Sequence, residues 1–205
     1  MTPDRATRLT DAASLRVLAH PTRLRLLGLL RQHGPQTAAH LGDRVDEAPG
    51  TISYHLGKLA SIALIEEAPG TGTDRRERWW RATSELTTWE PADALDDPAT
   101  AAASTAMQRT IAHLYAANYD RYLETVPALP REWVAAAASG DRTLRLTAAE
   151  LAELRADLEA LTERWRAVGE GRTAAPDTGT DPSAGTDTPA ERVTLVYQAY
   201  RSPEA

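Results

Sequence analysis

Pro49-Gly-Thr-Ile-Ser-Tyr-His-Leu-Gly-Lys-Leu-Ala-Ser61 is the stretch that decides the fold. Proline suits the first turn of a helix, where its missing N–H costs nothing. Ile52, Leu56 and Leu59 recur at i, i+4 and i+7, so they define one buried face. Gly50, Thr51, Tyr54, Gly57, Lys58 and Ser61 are left on the open face, with Ser53 and His55 at its borders. That face has little bulk and no acid, so it can approach a polyanion closely. Lys58, farther along, is placed for a phosphate.

The flanking segments give this helix its setting. Asp11 to Ala19 holds Leu15 and Leu18 at helical spacing and stops at His20-Pro21. Pro21 to His33 reads as a second helix, and its Leu24, Leu26, Leu27, Leu29 and Leu30 make a stripe too wide for a surface helix. Gly34-Pro35 ends it. A short helix from about Thr37 to Val45 follows, with Thr37 as N-cap and Leu41 and Val45 inward. Beyond Ser61, Leu64-Ile-Glu-Glu67 reads as a strand, 69–74 as turn chemistry, and Arg76-Glu-Arg-Trp-Trp-Arg-Ala82 as a second strand. Trp79 and Trp80 alternate, so one faces the core. The pair makes a hairpin in which Arg75, Arg76, Arg78 and Arg81 meet the single acid Glu77. Helix, turn, helix and basic hairpin is the order of a winged helix-turn-helix. A helix of about 10–12 Å diameter fits the DNA major groove, and an arginine-bearing wing reaches the adjacent backbone.

The whole chain has 205 residues and a formal charge of −6, which at first argues against a nucleic-acid partner. The charge is unevenly spread. Residues 1–90 hold 12 basic and 11 acidic side chains, a net of +1, whereas 91–205 hold 11 and 18, a net of −7. No cysteine is present, which removes disulfides, thiolate nucleophiles and Cys-ligated metal centres. With no signal-like or membrane-length apolar run, a cytoplasmic location is expected.

The remainder is expected to be helical and dimerising. A boundary falls near residues 91–98. Pro98 to about Thr125 reads as a long helix on which Met107, Ile111, Leu114, Asn118, Tyr122 and Val126 lie roughly on one stripe. Glu132 to Ala138 reads as a short helix. Thr147-Ala-Ala-Glu150 is a capping box opening a helix to about Val168, with Leu151, Leu154, Leu158, Leu161 and Trp165 at heptad-like spacing. That stripe suits an intramolecular core, with a role in the dimer left open. Residues 169–190 lack large apolar side chains and read as a disordered tether of roughly 25–30 Å. Arg192 to Tyr200 alternates, with Val193, Leu195, Tyr197 and Ala199 on one face, and is expected to pair with a short strand at Thr143–Leu146. The expected organisation is therefore mainly α with small β elements. A winged helix-turn-helix over 1–90 is followed by a helical dimerisation or effector region over 91–168, the tether, and a C-terminal strand over 191–205 that packs on the helical region.

His20-Pro-Thr-Arg-Leu-Arg-Leu-Leu27, Thr51-Ile-Ser-Tyr-His-Leu-Gly-Lys-Leu59, Leu64-Ile-Glu-Glu67 and Arg76-Glu-Arg-Trp-Trp-Arg81 together resemble the ArsR-type winged-helix transcriptional regulators, over about residues 11–85. More narrowly they resemble a subgroup common in actinobacteria that carries a C-terminal extension. The resemblance implies a homodimer bound to an inverted repeat in double-stranded DNA, usually as a repressor. Metal sensors of that family carry a Cys-X-Cys pair before the recognition helix or a His/Asp set on the dimer helix. Here the first position reads Thr37-Ala-Ala-His-Leu-Gly-Asp-Arg44 and the long helix offers only His113, so neither a metal site nor a cofactor is expected.

Thr37, Gly50, Thr51, Ser53, Tyr54, His55, Lys58, Arg75, Arg76 and Arg78 are accordingly the candidate DNA contacts, although His55 suits packing on the helix behind it better than base contact. Met107, Ile111, Leu114, Tyr115, Asn118 and Tyr122 are candidates for the dimer core. With Trp133, all of these except Asn118 are also candidates for a pocket taking a small apolar effector. No nucleophile elbow, phosphate loop, dinucleotide fingerprint or zinc-protease motif occurs, so an enzyme is not expected. A winged helix that docks another protein without binding DNA is the alternative, slightly favoured by the +1 of the N-terminal segment.

Overall fold

The computed structural model describes residues 4–68, 77–173 and 190–203. In chain order the elements are β1 (Asp4–Arg8), α1 (Ala12–Leu18), α2 (Pro21–His33), β2 (Gln36–Thr37), α3 (Ala38–Val45), α4 (Pro49–Ala60), β3 (Ile65–Glu67), β4 (Trp79–Ala82), β5 (Ser84–Thr88), α5 (Pro98–Thr125), α6 (Arg131–Ala136) and α7 (Ala148–Thr173). Short 3₁₀ turns at Pro91–Ala94 and Val126–Ala128 flank α5. The chain is mainly α with small sheets, and it divides into two units, Met1–Leu129 and Pro130–Ala205.

Local chemistry sets the bounds of the first helices. The Asp11 carboxylate caps α1 by accepting from the Ser14 N–H at 2.9 Å. Pro21 opens α2, and Gly34 closes it at φ 71°, a conformation that favours glycine. The Thr37 hydroxyl caps α3 by accepting from the His40 N–H at 3.2 Å. The turn into α4 then rests on two residues. Asp46 adopts the left-handed conformation, and the Glu47 N–H donates to the Gly42 carbonyl at 3.2 Å. A Cβ on Gly42 would lie 2.7 Å from the Glu47 carbonyl oxygen, so the tight turn requires glycine there.

Leu26, Leu41, Ile52, Leu56, Leu59 and Leu64 are all fully buried, and α2, α3 and α4 converge on them. The wing is antiparallel, with Ile65 opposite Ala82, Glu66 opposite Arg81 and Glu67 opposite Trp80. β2 adds a third strand on the other side of β4. Trp80 packs into the core and Trp79 lies half-buried against His40.

A second, two-stranded sheet, unexpected from the sequence, pairs β1 with β5 in parallel. It is tied to α2 by Arg31, whose guanidinium donates to the Ser84 carbonyl at 2.9 Å and the Thr87 hydroxyl at 2.8 Å. Burial pushes the Arg31 pKa down to about 10.

The compact unit continues past the Pro- and Asp-rich stretch at 91–98, where the sequence suggests a boundary. The first half of α5 buries Ala103, Ser104 and Met107, and α5 packs on α1. Met107 is thus closed inside the core of the first unit rather than lining a ligand pocket.

In the second unit the expected capping box is formed. The Thr147 N–H donates to the Glu150 carboxylate at 2.7 Å, and the Glu150 N–H returns to the Thr147 hydroxyl at 3.2 Å. α7 runs on to Thr173, past the expected end near Val168, and Arg166 carries it through ion pairs to Glu163 and Glu170. The expected strand pair is not formed. Both 143–146 and 192–200 are exposed and carry no ladder, in keeping with the marginal stability of two uncovered strands in water. Of the expected tether at 169–190, residues 169–173 belong to α7 and 174–189 lie outside the described residues.

Candidate nucleic-acid interface

α4 is a helix with two chemically distinct halves. Ile52, Leu56 and Leu59 lock one side into the core, fixing both the rotation and the depth of the helix. The other side presents Gly50, Thr51, Ser53, Tyr54, Gly57, Lys58 and Ser61, all exposed and none acidic. The first turn also holds no acid, so the partial positive charge of the helix N-terminus is uncompensated by this helix. Ser53 and Ser61 turn their hydroxyls back to the Pro49 and Lys58 carbonyls, both at 2.8 Å, which keeps the surface low.

Tyr54 is the one large side chain on this face, 57% exposed. The Lys58 ammonium lies 5.6 Å from its ring centroid, close enough to bias the ring's orientation. Gly50 and Gly57 leave the surface clear: a Cβ built on either meets nothing within 4 Å.

Two of the candidate contacts are not on this surface. Thr37 is buried, its hydroxyl occupied in capping α3 and its backbone paired with Trp79. His55 is buried and turned toward His20, with ring centroids 4.6 Å apart. It belongs to the packing of α4 on α2, because Arg23 and His20 cover a position that a helical wheel places at the border of the open face.

Arg78 is exposed on the wing, but its guanidinium pairs with Glu67 at 3.0 Å and lies 5.6 Å from the Trp80 ring centroid. Arg81 pairs with Glu66 at 2.7 Å, directly across the ladder. Both pairs are substantially exposed, where ion pairs contribute little to stability. They moderate the positive field of the wing. Arg75 and Arg76 lie outside the described residues.

On α5, Ile111, Leu114, Asn118 and Tyr122 are half-buried, whereas Tyr115, Tyr119 and Leu123 are exposed. Among the described residues, no group of three or more His, Asp or Glu side chains is placed to hold a metal ion, and no helix is long and apolar enough to cross a membrane. The features that sequence reasoning missed are Gly42, which only the turn geometry singles out, and Arg23, which joins His20 and His55 into one cluster.

A family described as a helix-turn-helix domain matches residues 18–68, the span from the end of α1 to the end of β3. The first unit therefore contains a helix-turn-helix domain, with α4 as its second, outward-facing helix. No curated protein matches the sequence. Three solved structures illustrate what the fold is similar to. A possible transcriptional regulator for arsenical resistance is 28% identical, over 49% of this chain and 94% of its own, with a TM-score of 0.30. RV1404 from Mycobacterium tuberculosis is 20% identical, over 74% and 82%, with a TM-score of 0.30. Wild-type Lactococcus lactis ZitR in complex with DNA is 19% identical, over 71% and 74%, with a TM-score of 0.28.

Proposed function

We propose that this chain is a sequence-specific DNA-binding transcriptional regulator of the ArsR type, working in the cytoplasm as a homodimer on an inverted repeat, usually to repress. The observation that carries the reading is the outward face of α4. Seven exposed residues without an acid, one lysine and one projecting tyrosine sit on a helix whose other side is locked in the core. Such a surface has the size and polarity of a major-groove reader, with Thr51 and Tyr54 toward base edges and Lys58 toward phosphate. Arg78 on the wing adds a backbone contact, and the sequence offers Arg76 as a further candidate.

The length of α5 supports the dimer. Its 28 residues extend about 42 Å, yet its buried positions end at Met107. The exposed Tyr115, Tyr119 and Leu123 beyond it suit a second copy of the same helix. Two copies of α4 would then read half-sites about 34 Å apart. A response to a small apolar effector through the C-terminal region remains part of the proposal, without Met107 in its lining. Enrichment of duplexes by the full chain from a random library tests the reading, and a shared inverted repeat is the expected product.

A second reading has one observation behind it. Two wing arginines are paired with Glu66 and Glu67, so the hairpin presents less free positive charge than its sequence promises. A winged helix that docks a protein instead of DNA is compatible with that. It predicts no gel shift even at low salt.

A further inference from the structure

His20 and His55 face each other between the N-terminus of α2 and the inner side of α4, with their rings tilted by 46°. The Arg23 Nε–H donates to the His55 Nδ1 over a long 3.4 Å, and one of its terminal nitrogens donates to the Val17 carbonyl at 2.9 Å. An imidazole that accepts at Nδ1 must be neutral, with its proton on Nε2. The His20 Nδ1 is buried without a hydrogen-bond partner. The two rings and one guanidinium therefore clamp the recognition helix to α2 and to the end of α1, provided that both imidazoles stay uncharged.

We propose that Arg23, His20 and His55 form a latch that seats α4 for DNA and opens on acidification, so that DNA binding weakens as the pH falls. The inference rests on the DNA-binding reading of α4, whereas the latch itself does not. Arg23 and His20 are positioning residues, acting on DNA only through α4.

The groups around the pair fix the sign. α2 brings the Arg23 cation. The α3–α4 turn brings Glu47, which accepts from the Thr22 hydroxyl at 2.9 Å. α4 brings the edge of Tyr54, 5.4 Å from His55 between centroids. α1 and α5 bring neutral groups, the Val17 carbonyl and the Thr110 hydroxyl bonded to the Ala19 carbonyl. Loss of hydration holds both imidazoles below the ordinary histidine range, chiefly by burial, with Arg23 and, for His55, His20 adding to it, and Glu47 opposing. A depressed pKa means that the unfolded or unlatched form binds more protons than the latched one. The latched form is fully favoured above about pH 6.5 and loses ground as pH falls through the lowered folded values.

The direction is diagnostic. Protonating surface histidines adds positive charge and strengthens attachment to DNA. A latch predicts the opposite. The test uses the full chain and the duplex that it enriches from a random 30-bp library, with a scrambled duplex as control. Affinity and melting temperature are followed from pH 7.5 to 5.5. Wild type should lose affinity for the enriched duplex, by up to roughly tenfold for each proton taken up over the pH unit below 6.5. His55→Asn places an amide oxygen where Nδ1 stood, accepts from Arg23 and does not titrate. It should bind at pH 7.5, and between pH 7.5 and 5.5 both its affinity and its melting temperature should fall less than those of wild type, the remainder coming from His20. His20→Asn, at a helix cap that tolerates asparagine, gives the same test through the other ring. An enriched duplex bound equally or more tightly at pH 5.5 would overturn the latch and leave DNA recognition standing. If wild type enriches no duplex, the functional reading fails, and the melting curves alone decide the latch: equal acid sensitivity of wild type and His55→Asn overturns it.

Discussion

Gly57 sits in the middle of the exposed face of α4, and nothing in the fold asks for glycine there. A Cβ at this position meets no atom within 4 Å. Glycine costs a helix interior about 0.8–1.0 kcal/mol relative to alanine. Gly57→Ala should therefore stabilise the first unit by up to that amount, a rise in Tm of about 3–6 °C for a unit of this size. DNA binding should move the other way. If the missing side chain is clearance for the groove, a methyl there has to be accommodated by lifting or tilting α4. An inserted methyl against a close-packed surface costs about 1–3 kcal/mol, or roughly 5- to 160-fold in affinity. Gly28→Ala in α2 is the control, because its Cβ also meets open space. It should raise Tm similarly and leave affinity unchanged. Thermal melts and fluorescence anisotropy on the enriched duplex read both quantities. A Gly57→Ala protein that is stabilised yet binds as tightly as wild type would refute the claim that this face meets DNA closely.

Gly42 gives the contrasting case. Its Cβ would meet the Glu47 backbone oxygen at 2.7 Å, so Gly42→Ala should cost about 1–3 kcal/mol and lower Tm by several degrees in the same melts. Ala63 occupies the left-handed region at φ 57°, a strain of roughly 1 kcal/mol for a residue with a Cβ. Ala63→Gly should recover part of it in urea unfolding; an unchanged midpoint would contradict the strain. Glu67→Gln releases Arg78 from its 3.0 Å ion pair, so binding to random duplex should tighten. The plot of log affinity against log salt should then steepen by up to about 0.9. An unchanged slope would mean that Arg78 does not face phosphate.

The sequence reveals those elements that carry their own punctuation. α2, α3 and α4 are bounded by proline, a threonine cap and glycine, and their leucines keep helical spacing. The Thr147–Glu150 box marks the start of α7. Elements that depend on distant partners are not legible. β1, Asp4-Arg-Ala-Thr-Arg8, has no apolar alternation and exists by pairing with β5 some 80 residues away. The site divides in the same manner. Helical spacing alone exposes Tyr54 and Lys58, but it leaves His55 at a border that tertiary packing then closes with His20 and Arg23. Likewise the wing arginines read as free cations until the register of the hairpin sets Arg81 opposite Glu66.

Selection from a random duplex library by the full chain decides the proposed reading of DNA sequence by α4. Repeated rounds should enrich an inverted repeat with half-sites about one helical turn apart, and replacing Thr51 or Tyr54 should broaden the enriched motif. A library that emerges without a common motif, with random duplex bound as tightly as any selected sequence, would contradict it.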